Sequence, residues 1–236
     1  MRDQGLIRPA PALPADGSVE TVVLVPYQPL WRRVRARSAG GRRRPLRTIP
    51  VDHVRIGARL WVGPVVGAPA AAILVEGLVA SGVRKLIVLG ICGSLRETAR
   101  IGDLILVEAA HSAEGTSRHY IPDRAIFPAE PAMLAALRQR LDAAGWPYQQ
   151  GALVSTDAPY RETPAWIAQW QAAGALGVDM EMAAVYALGV FRGVSVAGLT
   201  MVSDELFAGV WRPGFRTTAF RRRCDQVVAE WLRPQD

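Results

Sequence analysis

Residues 63–95 read GPVVGAPAAAILVEGLVASGVRKLIVLGICGSL, and this stretch decides the fold class. Its middle part, 68–81, has apolar residues at helical spacing, and the run KLIVLGI at 85–91 is short, continuous and rich in β-branched residues. Such a run is typical of a buried strand, and a helix that leads directly into one is a unit of α/β proteins. The stretch therefore predicts an α/β fold.

The same alternation continues on both sides of this stretch. Further apolar runs predict strands at 19–25, 58–66, 103–110, 150–156 and 195–203, and helical patterns are present at 131–144, 162–172, 180–192 and 213–233. The strands do not alternate between apolar and polar residues, so we expect helices on both faces of the sheet. The sequence thus predicts a three-layer α/β/α domain with a central mixed twisted sheet. Residues 39–59 fit neither pattern, and we expect a hairpin strand there, followed by a turn at Gly57.

The chain length and composition indicate one domain. With 236 residues, of which 50% are hydrophobic and 21% are charged, a single globular domain can bury most of the surface that its unfolded chain exposes. Residues 1–18 contain prolines and no periodic apolar pattern, so they are predicted to form a loose N-terminal tail. Residues 19–236 are predicted to form the domain.

Neither export nor membrane insertion is indicated by the sequence. No window approaches 18 consecutive apolar residues, and the first residues lack the apolar segment of a secretory signal, so we expect a cytoplasmic protein without a membrane partner. Cys92 and Cys224 belong to no CxxC pair or Cys/His cluster, which argues against a disulfide framework and a structural metal. Both are predicted to be buried thiols.

The positive charge of the chain is local. The 28 Lys and Arg residues exceed the 21 Asp and Glu residues by 7, and many of the arginines fall within 32–47. Such a tract can bind nucleic acid or phosphate, but single basic stretches are more often solvated loops, and no aromatic residues are interleaved to stack on bases. We therefore expect no nucleic-acid partner.

Two predicted strand ends carry candidate ligand-binding residues, because ligands of open α/β sheets collect at the carboxyl ends of strands. Gly90 and Gly93 in LGICGSL (89–95) leave backbone N–H groups open to an anion or a sugar oxygen, although a tight turn also explains them. Asp179 and Glu181 in VDMEMAAVYALGVF (178–191) stand at the start of an apolar helix. Ribose hydroxyls would satisfy such carboxylates, and so would the helix dipole.

Two further junctions leave the same choice open. In MVSDELF (201–207), Ser203 and Asp204 directly follow an apolar strand, where Asp204 is either a general acid or the cap of the next helix. The polar loop STDAPYRETP (155–164) contains Tyr160, and ordinary turn chemistry accounts for its composition.

Five segments taken together resemble one family. They are 63–95, RIGDLILVEAAHSAEGTSRHY (100–120), STDAPYRET (155–163), GVDMEMAA (177–184) and VSDE (202–205). In this order they are similar to successive motifs of the purine nucleoside and uridine phosphorylase superfamily, over a region from about Val19 to the end. The resemblance implies a pentosyltransferase that cleaves the N-glycosidic bond of a purine-type nucleoside. It also implies inorganic phosphate as co-substrate, no metal or other cofactor, and a homo-oligomer.

The resemblance also implies roles for individual residues. Met180 and Glu181 match the pair that binds ribose, and Asp204 matches the acid that protonates the departing purine at N7. Uridine-specific members lack this aspartate, so its presence implies a purine. The residues expected on the base side are Thr156, Tyr160, Ser203 and Asp204.

The phosphate site departs from the family pattern. Tyr27, Trp31, Val88 and Ile91 stand where the family has a glycine, two arginines and a serine. The anion candidates are Gly90, Gly93, Arg43 and Arg44. Three alternatives follow: arginines of the 32–47 tract bind phosphate, including those of a neighbouring subunit; water replaces phosphate, as in a hydrolytic nucleosidase; or the protein binds nucleosides without catalysis. The absence of an acid between Val22 and Pro50 counts against simple hydrolysis.

Overall fold

The computed structural model of the protein describes residues 5–13, 19–38 and 51–232. Within these ranges ten strands form one sheet: β1 (Thr21–Leu24), β2 (Asp52–Ile56), β3 (Arg59–Gly63), β4 (Lys85–Ser94), β5 (Leu104–Ala113), β6 (Ile126–Pro128), β7 (Gln149–Thr156), β8 (Gly177–Asp179), β9 (Ser195–Glu205) and β10 (Arg212–Pro213). The α-helices of the same ranges are α1 (Gln28–Arg37), α2 (Ala68–Ala80), α3 (Ser117–Tyr120), α4 (Pro131–Ala143), α5 (Pro164–Ala172), α6 (Met182–Arg192) and α7 (Thr218–Trp231). A short 3₁₀ helix covers Pro159–Arg161.

The sheet is mixed, and part of it closes on itself. The strand order is β10-β9-β5-β7-β8-β4-β1-β3-β2, and β6 pairs with β5. Since β4 also pairs with β9, the strands β4, β9, β5, β7 and β8 form a closed ring. The sequence correctly predicted the α/β class and the central mixed sheet, but nothing in it indicated closure, because closure depends on which strands pair.

Most predicted helices and strands are present with shifted ends. The predicted helix at 68–81 runs from Ala68 to Ala80, and the predicted hairpin forms as β2 and β3 with Gly57 in the left-handed region at φ 60°. The part of that prediction at 39–50 lies outside the described residues. The helix predicted from residue 213 begins only at Thr218, because Arg212–Pro213 pairs with β9.

Helix α1 was missed because its sequence is dominated by arginine. Its buried residues are Leu30, Trp31 and Val34, which are spaced as one face of a helix, and the helix packs against α7. Arg33 and Arg37 reach Asp225 of α7 with N–O distances of 3.3 and 2.9 Å. Part of the tract that looked like a solvated loop is therefore an amphipathic helix.

The boundary predicted at residue 18 stays a prediction, and the preceding segment makes defined contacts. The backbone N–H of buried Ala12 donates to Gly77 O at 2.9 Å, and that of Leu13 donates to Ser81 Oγ at 2.9 Å. These residues therefore lie against α2 and its C-terminal end. Both cysteines are buried free thiols, as predicted. Among the helices of the described ranges, none is long and apolar enough to cross a membrane.

Helix α6 lies at the centre of the packing. Its residues from Met182 to Gly189 are all buried, and it contacts α2, β5, β7 and β9. A helix that is apolar on all sides must be covered on all sides. Its one phenol, Tyr186, donates to Val107 O at 2.7 Å, at the point where the β5–β7 register shifts.

Tyr186→Phe is expected to lower the free energy of unfolding by about 1–2 kcal/mol, because the buried Val107 carbonyl loses this donor. Urea denaturation measures the change. Tyr148→Phe is the matched control, since its hydroxyl bonds Asp142 on the exposed surface, and its effect should stay within about 0.5 kcal/mol. Equal losses in the two variants would contradict a specific role for the Tyr186 hydroxyl.

Candidate active site

A cavity of about 630 Å³ opens where β4, β8 and β9 meet the loops that follow β1 and β7. Six of the predicted site residues line it: Gly93, Tyr160, Met180, Glu181, Ser203 and Asp204. They come from positions up to 111 residues apart in the chain, from Gly93 to Asp204. The fold therefore brings the ribose candidates and the predicted acid into one cavity.

Asp179 and Glu181 differ in the two roles that the sequence left open, which are contact with the helix terminus and contact with a ligand. Asp179 Oδ2 accepts the backbone N–H of Met182 at 2.8 Å and so satisfies the start of α6. Its Oδ1 accepts the hydroxyl of buried Ser155. Glu181 instead accepts the backbone N–H of Gly67 at 2.6 Å through Oε1. Both residues line the cavity, but the two oxygens of Asp179 are engaged by the helix terminus and Ser155, so Glu181 is the more available to a ligand.

The carboxyl groups of Asp179 and Glu181 are both buried, and the charge of Asp179 affects the pKa of Glu181. Burial raises the pKa of Glu181 above its ordinary value, and the nearby charge of Asp179 raises it further. Burial also raises the pKa of Asp179, but the Ser155 hydroxyl and the N–H groups of Met182 and Glu181 stabilise its charged form. Both carboxyl groups therefore have raised pKa values, and Asp179 has more hydrogen-bond donors to its charged form than Glu181 has.

Asp204 is held at both oxygens by neutral donors. Ser203 Oγ lies 2.6 Å from Oδ1, and Trp211 Nε1 donates to Oδ2 at 2.8 Å. Burial raises the pKa of Asp204, and these two hydrogen bonds offset part of that shift. Asp204 is not a helix cap, because Thr217 takes that place by accepting the backbone N–H of Phe220 at 3.3 Å. Of the two roles that the sequence left open for Asp204, only the general acid remains, and it stays a prediction.

Glu162 is a cavity residue that the sequence analysis missed. Burial raises its pKa to about 7, and the charge of Asp204 contributes to that rise. It follows the 3₁₀ helix that carries the fully exposed Tyr160. The composition of the loop at 155–164 was explained by turn chemistry, which gave no reason to single out one carboxylate.

Thr156 and Gly90 do not line the cavity. Thr156 is buried and its Oγ1 accepts the backbone N–H of Ala158 at 3.2 Å, while Gly90 lies within β4 against Thr200. Their predicted contacts with base and anion therefore have no support in the cavity lining. Gly93, in contrast, lines the cavity. A Cβ at this position would lie 2.4 Å from Leu206 Cδ1, so a larger residue would not fit without a shift.

The wall near the ends of β1 and β4 is apolar, as the sequence indicated. Tyr27 and Ile91 line it, whereas Trp31 and Val88 are buried behind it. The described lining residues include no Lys, Arg or His. Arg43 and Arg44 lie outside the described residues. Across the described ranges, no group of three or more His, Cys, Asp or Glu side chains is placed to hold a metal ion.

A family model described as the phosphorylase superfamily matches residues 47–233. The chain belongs to this superfamily. This chain of the phosphorylase superfamily is similar to relatives whose names state an activity. It is 34% identical over 147 residues to a guanosine phosphorylase of Halorubrum lacusprofundi, covering 61% of this chain and 60% of that protein. It is 31% identical over 158 residues to a DeoD-type purine nucleoside phosphorylase of Clostridium novyi, covering 65% and 67%. The chain thus spans 60% and 67% of the length of these two relatives.

Solved structures of superfamily members share the fold. A purine nucleoside phosphorylase of Toxoplasma gondii in complex with immucillin-H superposes with a TM-score of 0.82 at 20% identity, covering 98% of this chain and 96% of that one. A uridine phosphorylase of Vibrio fischeri ES114 gives 0.80 at 21% identity, covering 98% of each chain. The predicted family and fold are confirmed.

Glu181→Gln is expected to flatten the pH dependence of stability. Because the pKa of Glu181 is raised in the folded protein, the folded state holds this proton more tightly than the unfolded chain does. The contribution of Glu181 is therefore complete below the ordinary glutamate pKa and is lost as the pH rises through the folded pKa. Urea denaturation between about pH 5 and pH 8 should show a decline in wild type that is smaller in the variant.

The control for this measurement is Glu97→Gln, which changes an exposed glutamate outside the cavity lining. It should retain the wild-type slope. If wild type and Glu181→Gln decline equally with pH, the burial argument for Glu181 is wrong.

Proposed function

We propose that this protein is a nucleoside phosphorylase that cleaves the N-glycosidic bond of a purine-type nucleoside, giving free base and pentose phosphate. The observation that carries the proposal is that Met180, Glu181 and Asp204 line one cavity. Membership of the superfamily supports it, and so do the names of the relatives, a guanosine phosphorylase and a purine nucleoside phosphorylase.

The ribose side of the reaction depends on Glu181. Its carboxyl group is anchored by the Gly67 N–H and accepts hydrogen bonds from the 2′- and 3′-hydroxyls of the sugar. The thioether of Met180 packs against the ribose. Sugar hydroxyls supply the donors that a buried carboxylate needs, so binding favours the ionised form of Glu181.

The base side depends on Asp204. Cleavage passes through an oxocarbenium-like state in which negative charge develops on the leaving base, and an acid beside N7 neutralises that charge. A raised pKa keeps Asp204 protonated over a wider pH range and so suits it to this task. Ser203 orients the carboxyl group, and the exposed ring of Tyr160 stacks on the base.

The acceptor is inorganic phosphate in this proposal. A phosphate dianion needs charged donors where water is excluded, and the described lining offers none. We therefore assign this role to Arg43 and Arg44, within a homo-oligomer in which a neighbouring copy can supply them. The described lining residues, which include no Lys, Arg or His, favour a second candidate, hydrolysis with water as the acceptor.

Asp204→Asn is expected to reduce base release by at least about 100-fold, because the amide has no acidic proton to give to the leaving base. Chromatographic quantification of free base from guanosine, inosine and adenosine measures the loss. Asp123→Asn is the control, since Asp123 is exposed and outside the cavity lining, and it should behave as wild type. Full activity of Asp204→Asn would overturn the assignment of the acid.

Phosphate dependence separates the candidate acceptors. We expect base release to require added phosphate. We also expect the KM for phosphate to rise in Arg43→Ala or Arg44→Ala. Equal base release without phosphate would replace phosphorolysis by hydrolysis. Nucleoside-dependent thermal stabilisation without any base release would identify a binding protein that lacks catalysis.

A further inference from the structure

Trp211 reaches Asp204 from a loop that folds back beside it. In the antiparallel pairing of β9 and β10, Pro213 lies opposite Asp204, and the Gly214 N–H donates to Ser203 O at 2.8 Å. The intervening loop turns at Gly209, whose N–H donates to Leu206 O. Strand pairing therefore brings the residue just before β10 next to the predicted acid.

The indole of Trp211 is held by one polar contact while much of its surface is exposed. The residue is 59% exposed, yet its Nε1 lies 2.8 Å from Asp204 Oδ2 and its side chain lines the cavity. A large aromatic ring in such a position gains little from burial. The hydrogen bond is thus the specific feature that connects this side chain to the site.

The donors of Asp204 suit a group that changes its protonation state. The Ser203 hydroxyl has one hydrogen and two nearby acceptors, Asp204 Oδ1 at 2.6 Å and Cys92 O at 3.1 Å. It can donate to Asp204 when the carboxylate is charged and to Cys92 when Asp204 is protonated. Trp211 is a donor only and exchanges no proton, so it can orient the carboxyl group and stabilise its charged form.

The geometry points to Trp211 as a positioning residue that fixes the carboxyl group of Asp204 toward the leaving base through its indole N–H. This inference rests on the proposed function. A neutral donor restricts the carboxyl group without the strong preference for the ionised state that a cationic partner would impose. The chain thus orients its acid and still allows it to carry a proton.

Trp211→Phe tests this role, because it keeps an aromatic ring and removes the N–H. Loss of a donor to the carboxylate raises the pKa of Asp204, so the alkaline limb of the kcat/KM profile should move to higher pH. At neutral pH kcat should fall about tenfold with little change in KM, since orientation of the acid matters in the transition state. A ring that merely covers the cavity would leave the limb in place.

A second measurement separates this inference from the proposed function. The pKa of Asp204 can be measured by ¹³C NMR titration of its carboxyl carbon in the full chain without substrate. The signal is assigned because it is absent from the spectrum of Asp204→Asn. If wild type releases no base, the proposed function fails, while a higher Asp204 pKa in Trp211→Phe still supports the contact. Trp166→Phe, outside the cavity lining, is the control and should titrate as wild type. An unchanged Asp204 pKa in Trp211→Phe overturns the inference.

Discussion

The hydrogen bonds of Asp179 are the contacts on which the candidate site depends. Asp179 accepts the Met182 N–H and the Ser155 hydroxyl, and Ser155 in turn accepts the Ala183 N–H at 2.9 Å. These bonds join β7, β8 and the first turn of α6 among buried side chains. Because Asp179 satisfies the helix terminus, Glu181 is left to face the cavity beside Gly67.

The cavity is acidic without a compensating cation among its described lining residues. Glu162, Glu181 and Asp204 all have raised pKa values, and burial is the largest cause for each of them. Such a lining suits donor-rich groups such as sugar hydroxyls, and it suits an acid that retains its proton. It is unsuited to a dianion, which would need charged donors from residues beyond this lining.

Periodicity predicted those parts of the fold in which local pattern and packing agree. The helix at Ala68–Ala80 and the strand at Lys85–Ser94 were recognised because apolar spacing reflects burial directly. Helix α1 was missed because arginines surround its three buried residues, and the start of α7 was misplaced because Pro213 pairs with β9. The closed ring of strands could not be predicted from the sequence, because the strands that pair are distant in the chain.

The sequence by itself determined the α/β class and the family, because these follow from apolar runs and ordered motifs. It also predicted Glu181, Ser203 and Asp204 as site residues, and all three line the cavity. Only the tertiary structure decided that Asp179 serves the helix terminus and that Glu181 is the more available to a ligand. It also introduced Glu162 and Trp211 and left Thr156 and Gly90 outside the lining. The direction, burial and hydrogen-bond partners of a side chain depend on contacts between strands that are distant in the sequence. A local sequence pattern does not determine those contacts.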